Sequence, residues 1–567
     1  MSEPSVSATA DATASALSTP QGEGAPERRS VIPVFIGLMT AMLLASLSQM
    51  IFATALPTIV GELDGVDLML WVTTAYILAS TVMMPVYGKL GDLIGRKGLF
   101  ISAIVIFMAG SVLGGLAQSM PMLIAARAIQ GLGGGGLIIL AQAIIADIVP
   151  ARERGKYMGV MGAAFAVSSV AGPLLGGWFT EGPGWRWGLW INIPLGLLAI
   201  VVAALFLHPS ARRESRPKID AAGMVLLTIA TTAIVLVTSF GGHTYDWASP
   251  QIIGLIVAAV VAGVAFVMVE RRAAEPVMPL GLFRSRTFNL ATAAGMLTGV
   301  GMFGVMAYMP TYLQMVANVD ATEAGLLTAP MMLVMLITST VTGFVVSRTG
   351  RYKWYPVAGA AIASVALYLL STLQFDTPVW VTCSYLAVLG LGLGFSMQIL
   401  VLIVQNAFPL RMVGTATASN NYFRQVGASI GTAVVGSLFT SRLLELLTER
   451  LPADALAASG GTHSLTPAAV VGLPEQIHDV VVQSYNDALT PVFLLMVPLS
   501  VLGVLLLLFI KETPLRTTVD KDAVAESIEV DGMTSDYLEP HGEVAQGDEA
   551  QEDRDAELAE AAAPSRS

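Results

Sequence analysis

The sequence predicts an all-α polytopic membrane protein, and three observations support this fold class. Of the 567 residues, 54% are hydrophobic and only 13% are charged, about half the charged fraction of a typical soluble domain. Apolar runs of about 20 residues recur along the chain, and a helix of that length crosses the hydrocarbon core of a bilayer. Because lipid offers the backbone no hydrogen bonds, such runs must satisfy their own amide groups and are expected as helices.

Fourteen such runs are expected to cross the membrane. We place them at residues 33–56, 68–87, 99–118, 122–147, 157–180, 186–207, 221–241, 251–269, 288–313, 325–347, 355–373, 379–407, 413–440 and 489–510. Lysine and arginine concentrate in every second connection, whereas acidic residues occupy most of the others, and basic loops stay on the cytoplasmic side. The pattern predicts a multi-pass membrane protein with both termini in the cytoplasm, and we expect it in the cell (plasma) membrane.

The two ends of the chain differ in composition from the spans. Residues 1–30 are rich in Ala, Ser and Thr, and residues 517–567 hold fifteen acidic and three basic residues, which account for the net charge of −11. The remainder is nearly neutral, so the charge gives no argument for a nucleic-acid partner. Segments this polar cannot bury enough apolar surface to fold, and we expect 1–30 and 513–567 to be disordered cytoplasmic tails.

Metal and covalent chemistry find little support in the sequence. All five histidines lie outside the expected spans, and no metal-ligand spacing recurs. Cys383 is the single cysteine and excludes a disulfide within the chain. A polytopic membrane enzyme would usually need buried titratable or metal-binding groups, which are scarce here. We therefore expect no enzyme, no cofactor and no metal site.

A short basic segment, Gly88–Gly98, separates the second and third runs. Its glycines allow a tight turn and close helix approach, and its cations should remain on the cytoplasmic side. Asp92 stands among these cations, where an ion pair or a helix-end contact could hold one arrangement of the helices and release another. The alternative is a basic turn that only sets topology. The candidate switch residues are Gly88, Asp92, Gly95, Arg96 and Lys97.

This segment resembles the G-x-L-x-D-x-x-G-R-K loop of the major facilitator superfamily. A weaker copy, Gly343–Lys353, follows the tenth run and has Ser347 where Asp92 stands. Two extra spans between the halves restore a six-plus-six register, which resembles the fourteen-span drug:proton antiporter branch. The resemblance implies six-helix bundles at 31–210 and 286–512, two linking helices within 211–285, and a long extracellular loop at 442–488.

The fourth run contains Arg127 and Gln130, which match the family's R-x-x-Q-G motif. An arginine inside a span is expensive and is a functional candidate by default. The resemblance implies that Arg127 and Gln130 act in proton transfer, whereas the alternative is that Arg127 snorkels to the outer interface. In the second run, Thr74 and Tyr76 stand in a W-x-x-T-A-Y pattern and could face a cavity or serve helix packing.

The fifth run carries Gly172, Pro173, Gly176 and Gly177, which match the G-P-x-x-G-G antiporter motif. Proline removes one backbone donor and kinks the helix, and glycines permit close helix contact. In the family this motif marks exporters rather than uptake systems.

The thirteenth run contains Arg424, too deep to snorkel easily, although a structural bond to backbone carbonyls is an alternative role. Together with Arg127 and Gln130, the expected substrate cavity is lined by Ser48, Gln49, Tyr76, Tyr308, Gln398, Asn421 and Arg424.

The first run departs from the branch at Ser48, where an aspartate usually stands. That aspartate is the family's candidate proton carrier, and no Asp or Glu stands near the middle of any run. We therefore expect neutral, zwitterionic or carboxylate-bearing substrates rather than lipophilic cations.

The sequence predicts a monomeric exporter of small amphipathic organic compounds, drugs or metabolites, which works by alternating access with protons as the coupling ion. A non-transporting sensor of the same fold is the first alternative, and a polytopic membrane enzyme is the second.

Overall fold

The computed structural model describes residues 31–207, 218–242, 244–451 and 474–517. Within these ranges, fourteen helices are long and apolar enough to cross a membrane. They are α1 (Val31–Glu62), α2 (Met69–Ile94), α3 (Arg96–Gly115), α4 (Met120–Ile148), α5 (Ala151–Glu181), α6 (Trp187–Phe206, interrupted at Ile191), α7 (Ala221–Phe240), α8 (Pro250–Glu270), α9 (Arg286–Val316), α10 (Ala321–Thr349), α11 (Trp354–Ser371), α12 (Val379–Asn406), α13 (Val413–Arg450) and α14 (Glu475–Leu508).

Polar side chains mark where several of these helices begin. The side chains of Asp220, Ser249, Ser285 and Asp320 each precede a helix and accept a hydrogen bond from the backbone N–H three residues later. Such capping satisfies one of the four N–H groups that a helix start leaves without an intrahelical partner. At the other end of α10, Gly350 adopts a left-handed conformation with φ of 73°, which ends the helix at little steric cost.

The helices form two six-helix bundles, α1–α6 (the N-half) and α9–α14 (the C-half), with α7 and α8 as linking helices. In the N-half, α4 packs against α2 and α3, and α1 packs against α5 and α6. In the C-half, α12 packs against α10 and α11, while α9 packs against α13 and α14. The halves meet along two seams, α5 with α10 and α2 with α13.

Glycine allows both seams to close to backbone contact. A Cβ at Gly343 would lie 2.2 Å from the carbonyl oxygen of Gly155, and a Cβ at Gly88 would lie 2.3 Å from the Cβ of Ala418. Real Cβ atoms do not approach other atoms this closely, so the helices touch as they do only because these residues have no side chain. Both contacts lie at the end of the molecule that carries Gly88–Gly98, which we call the motif end.

The linking helices contact both halves. In α7, Phe240 stacks against Trp71 of α2 with ring centroids 5.0 Å apart, and the Thr231 and Tyr422 hydroxyls are hydrogen-bonded at 2.8 Å. Beyond α8, Glu275 forms an ion pair with Lys89 at 2.6 Å. The α7–α8 pair therefore lies beside the α2–α13 seam.

The segment 442–488, expected as a long loop, contains helix at each end. Helix α13 continues to Arg450 and α14 begins at Glu475, so both ends of the expected loop are helical. Charged residues there do not end the helices because they pair outside the apolar region: Arg442 with Glu445 at 2.6 Å, and Arg450 with Asp487 at 2.7 Å.

The expected tails lie mostly outside the described residues, which is true of 1–30 and of 518–567. Residues 513–517, placed in the disordered tail by the sequence, are described and make defined contacts. The Tyr352 hydroxyl accepts a hydrogen bond from the Thr513 N–H at 2.8 Å, and Asn406 donates to the Thr513 hydroxyl at 3.1 Å. We call residues 511–516 the C-terminal strap.

Candidate functional site

Asp92 joins the two halves at the motif end. Its carboxylate accepts hydrogen bonds from the Gly414 N–H at 3.1 Å, the Thr415 N–H at 2.7 Å and the Thr415 hydroxyl at 2.8 Å. These N–H groups belong to the first turn of α13, which has no intrahelical partners for them and carries the positive end of the helix dipole. Asp92 therefore caps a helix of the other half.

Arg96 holds this carboxylate in place. Its guanidinium lies 2.6 Å from Asp92 and 2.6 Å from Asp147, and the Arg96 and Asp92 side chains are each only 5% exposed. It also donates to the carbonyl of Ala143, and at 3.5 Å to the carbonyl of Leu410 in the other half. Low exposure keeps these ion pairs from solvent screening, so the cluster orients Asp92 towards α13.

The other expected switch residues have different roles. Gly95 has a φ of 94° and makes the turn between α2 and α3, and Gly88 permits the close contact with α13. Lys97 donates to the carbonyls of Ala204 at 2.8 Å and Leu207 at 2.5 Å. It therefore interacts with the end of α6 inside the N-half, where a cation complements the helix dipole.

The second copy of the motif makes a weaker, neutral version of the same contact. The Ser347 hydroxyl accepts from the Lys156 N–H at 3.0 Å, and Arg152 donates to the Arg348 carbonyl at 3.1 Å. The C-terminal strap adds to this seam, because the carbonyl of Arg516 accepts from the Arg152 N–H at 2.9 Å. Both seams are thus closed by hydrogen bonds at the motif end.

A layer of amide side chains closes the boundary deeper inside the molecule. Asn421 donates to the Gln142 side chain at 3.0 Å, and Gln405 donates to the Gln142 carbonyl and to the Thr417 hydroxyl, both at 3.3 Å. All four residues are buried. We call them the amide layer. Sequence reasoning named Asn421 but missed Gln142 and Gln405, whose only signal was an amide in an otherwise apolar run.

Arg424 lies one helical turn from Asn421 and donates to its side-chain oxygen at 2.5 Å. The residue is partly buried, and in the described structure it has no carboxylate within ion-pair distance. Since Asn421 contacts α4 of the N-half, a residue one turn away lies on the same face of α13. Arg424 therefore lies one turn from the boundary between the halves, and its Cγ would be 3.4 Å from a Cβ at Gly299 of α9.

Arg127 lies inside the N-half. Its guanidinium carbon is 4.3 Å from the centroid of the Phe52 ring and 4.3 Å from that of Tyr76. The residue is 1% exposed, so snorkelling is excluded, and its Nε has no hydrogen-bond partner. Gln130 accepts from Arg127 and donates to the Ser48 hydroxyl at 3.0 Å.

This environment compensates only part of the cost of burying Arg127. Removing an ion from water costs several kcal/mol even after relaxation. A cation–π contact returns about 0.5–2 kcal/mol, and a hydrogen bond to a charged group about 1.5–3 kcal/mol. No carboxylate of the described chain lies within ion-pair distance of Arg127. Its charge stays uncompensated by any negative group.

The remaining expected cavity residues are spread over both halves. Ser48 is fully buried and faces Gln130 and Asn192, so in this conformation it belongs to the interior of the N-half. Tyr308 donates to the Thr432 carbonyl at 3.3 Å within the C-half. Gln398 is buried with an unpartnered side-chain oxygen, and Gln49 is partly buried.

The four residues of the antiporter motif face different neighbours. Cβ atoms at Gly172 and Gly176 would lie 2.2 Å from the Met50 Cβ and 3.0 Å from the Ile51 carbonyl oxygen, so both glycines allow α5 to pack on α1. Pro173 lies inside α5 and approaches Gly325 of α10. Gly177 has open space where a side chain would be. The motif thus serves one contact within the N-half and one across the boundary.

Titratable groups do not cluster as metal ligands do. Among the residues that the structure describes, no group of three or more His, Cys, Asp or Glu side chains could hold a metal ion.

Known proteins with similar sequences are membrane transporters. The family model of the Major Facilitator Superfamily matches residues 38–432. An uncharacterized MFS-type transporter of Mycobacterium tuberculosis is 43% identical over 88% of this chain and 72% of that protein. The multidrug transporter protein MdtP of Bacillus subtilis is 38% identical over 76% of this chain and 79% of MdtP. Multidrug resistance protein 3 of the same bacterium is 34% identical, with coverages of 86% and 96%.

Two solved structures share the fold. The human organic anion transporter MFSD10 matches with a TM-score of 0.53 and 14% identity, over 84% of this chain and 100% of that one. A bacterial homolog of the human lysosomal transporter Spinster, in an inward-facing and unoccupied conformation, matches with a TM-score of 0.52 and 16% identity, over 85% and 97%. At these identities the likeness concerns the fold alone. With a family model that spans most of its length and relatives above 30% identity, this chain belongs to the Major Facilitator Superfamily of membrane transporters.

Proposed function

We propose that this transporter exports small amphipathic organic compounds across the cell membrane by alternating access, in exchange for protons. The observation that carries the proposal is the capping of α13 by Asp92, which closes the boundary between the halves at the motif end. A transporter of this kind must close one end of its boundary while the other opens. A buried carboxylate that accepts three hydrogen bonds from the opposite half is suited to such a closure.

The closed contacts are few and discrete, which allows them to break together. Each half is a bundle of packed helices and can move as a rigid body, so opening the motif end requires the loss of the Asp92 and Ser347 bonds and of the amide layer. The glycine contacts between Gly155 and Gly343 separate without a change of rotamer. Each motif copy thus contributes one contact that holds the motif end closed, and the neutral contact at Ser347 is weaker than the charged contact at Asp92.

Export and the substrate class are supported by the relatives and by the antiporter motif. MdtP is named a multidrug transporter, and multidrug resistance protein 3 is named for resistance. Residues 172–177 of this chain match a motif that marks exporters. We extend both properties to this protein as part of the proposal.

Proton coupling is assigned to acids at the motif end. Arginine does not release its proton under physiological conditions, so Arg127 and Gln130 would not carry the proton themselves. They would act by setting the electrostatic potential inside the N-half. Asp92 and Asp147 both pair with Arg96. Protonation of Asp147 would weaken its ion pair with Arg96, which holds Asp92 against α13, and would favour opening.

The topology completes the proposal. We propose that both termini lie in the cytoplasm, which is supported by the even number of spans and by the basic residues at the motif end, among them Lys89, Lys97 and Arg152. We propose a monomer, since each chain contains both halves of a complete boundary.

Flux in proteoliposomes tests this function. The purified protein is reconstituted, an amphipathic fluorescent dye is added outside, and an acidic lumen is imposed. We expect saturable dye accumulation that stops when a protonophore collapses the gradient. Flux that is indifferent to the gradient would contradict proton coupling, and saturable binding without any flux would favour a sensor.

A further inference from the structure

The middle of the membrane region carries positive charge without negative charge. In the described structure, acidic side chains lie in connections or within five residues of a helix end, with Asp487 as the exception. Asp487 pairs with Arg450 at the far end of α13, and α13 has 38 residues, longer than the bilayer core requires. Arg127 and Arg424 therefore stand in a region without carboxylates.

Arg424 is the more accessible of these two cations. Arg127 is enclosed by two aromatic rings and is 1% exposed, whereas Arg424 is only partly buried and lies one helical turn from Asn421, which contacts the other half. The partner of Arg424 is the neutral side chain of Asn421. A guanidinium has five N–H donors in a planar fork, and among the described residues Asn421 is the acceptor found for those of Arg424.

We infer that Arg424 binds an anionic group of the transported compound, with a carboxylate as the best fit. A carboxylate presents two oxygens that match two parallel N–H groups of a guanidinium, and this pairing is stronger and more directional than a neutral hydrogen bond. Asn421 holds the fork from one side and is itself fixed by Gln142 of the N-half. The site therefore forms where the two halves meet, immediately beside the amide layer.

The same charges select against cations. Arg127 adds a second positive charge to a region of low dielectric constant, where like charges repel strongly. With Ser48 in place of a carboxylate, the described spans contain no acid in their middle to pair with a lipophilic cation. This inference rests on the proposed function and specifies its substrate class: compounds with a carboxylate, including zwitterions.

A matched pair of dyes isolates the carboxylate. A rhodamine with a free carboxylate is a zwitterion, and its methyl ester is a cation of almost the same size; fluorescein supplies a third, anionic member. Binding is measured by fluorescence polarisation on the purified protein, and flux is measured in proteoliposomes. We expect the free acid and fluorescein to bind and move at least tenfold more effectively than the ester.

Arg424→Gln removes the charge and should raise the dissociation constant for the free acid at least tenfold while changing that for the ester less than threefold. Arg424→Lys should restore part of the preference. Arg442→Gln is the matched control, because Arg442 lies in the same helix and pairs with Glu445 at its far end. This control should bind all three dyes as the unmodified protein does.

A second pair of variants changes the charge of the N-half. Ser48→Asp places a carboxylate beside Gln130, which is hydrogen-bonded to Arg127, and should shift the binding preference towards the ester by about tenfold. Ser48→Asn has a similar size without the charge and should leave the preference unchanged.

The outcomes separate this inference from the proposed function. Preferential transport of the ester, unchanged in Arg424→Gln, would overturn the inference and leave export intact. Binding of the free acid that depends on Arg424, without flux, would support the anion site and contradict export. Absence of binding by both carboxylate dyes would contradict the anion site.

Discussion

At the scale of single residues, closure of the motif end depends most on Asp92. One carboxylate accepts three hydrogen bonds from the first turn of α13, and hydrogen bonds to charged groups contribute about 1.5–3 kcal/mol each. Only glycine fits at position 414, since a Cβ there would lie 2.4 Å from the Asp92 carboxylate. The sequence indicated a role for Asp92 in a helix-end contact, but its partner lies 322 residues away.

Asp92→Asn should abolish flux while leaving substrate affinity within a few-fold of the unmodified value. The asparagine keeps the size of the side chain but loses the charge and one of the two acceptor oxygens, so the closed state is weakened and substrate contacts are untouched. Flux and equilibrium binding are measured on the same preparation.

Lys97→Gln is the matched control for Asp92→Asn, because Lys97 belongs to the same sequence motif but interacts with α6 in its own half. It should retain flux. A collapse of affinity in Asp92→Asn, with normal flux at saturating substrate, would show that Asp92 acts in binding instead.

Residues of the amide layer could be predicted only in part from the sequence. Asn421 stood out beside Arg424 in a polar stretch, whereas Gln142 and Gln405 are isolated amides in apolar helices. The hydrogen bonds of Gln142 with Asn421 and with Gln405 join residues that are 279 and 263 positions apart in sequence. No local sequence pattern predicts such contacts. The position of Ser48 inside the N-half was missed for the same reason, since helix rotation is set by packing.

At the scale of helices, α5 and α10 pack closely in the closed state because the glycines at their contact have no side chains. Gly155 and Gly343 place the two backbones in direct contact, and Gly159 extends the contact, with a would-be Cβ 2.5 Å from the Ser339 carbonyl oxygen. The fourteen helices themselves were predictable because each needs only a continuous apolar run. The extensions of α13 and α14 were not, because they depend on ion pairs and on contacts between the two helices.

Gly343→Ala should disfavour the closed motif end and slow transport. The added methyl group would lie 2.2 Å from the carbonyl oxygen of Gly155, and overpacking of this kind typically costs about 1–3 kcal/mol. Roughly 1.4 kcal/mol changes a population ratio tenfold, so the population of the open form should increase substantially relative to that of the closed form. Accessibility of cysteines introduced along the seam reports the change.

Gly177→Ala provides the control on α5, the other helix of this seam, since open space lies where its Cβ would be. It should transport and label like the unmodified protein. Equal behaviour of the two variants would show that close approach of α5 and α10 is not needed for the cycle.

At the scale of the whole molecule, the two halves are joined at the motif end by chain segments as well as by side chains. The C-terminal strap connects the C-half, through Tyr352 and Asn406, to the N-half at Arg152. The sequence predicted a tail beginning at residue 513, because composition alone does not show that the Thr513 N–H donates to the Tyr352 hydroxyl or that the Arg516 carbonyl accepts from the Arg152 N–H. The strap therefore contributes to the closed state.

Truncation after Arg516 should leave flux unchanged, whereas truncation after Ile510 should lower it. The first removes only the acidic segment, which cannot form a core. The second removes the strap and several hydrogen bonds worth about 1 kcal/mol each. Flux is compared at equal amounts of inserted protein. Loss of flux after truncation at Arg516 would reveal a role for the acidic segment. Normal flux after truncation at Ile510 would show that the strap has no role in transport.

The central claim is that the motif end opens and closes while the opposite end does the reverse. The most direct measurement is the distance between spin labels in a Cys383→Ser background, with one pair at Ile94 and Arg411 and another at Glu181 and Asp376. Substrate or pH should redistribute each pair between a short and a long distance, with the two pairs changing in opposite directions, and Asp92→Asn should lengthen the first pair. A single unchanging distance at both ends during active flux would contradict alternating access.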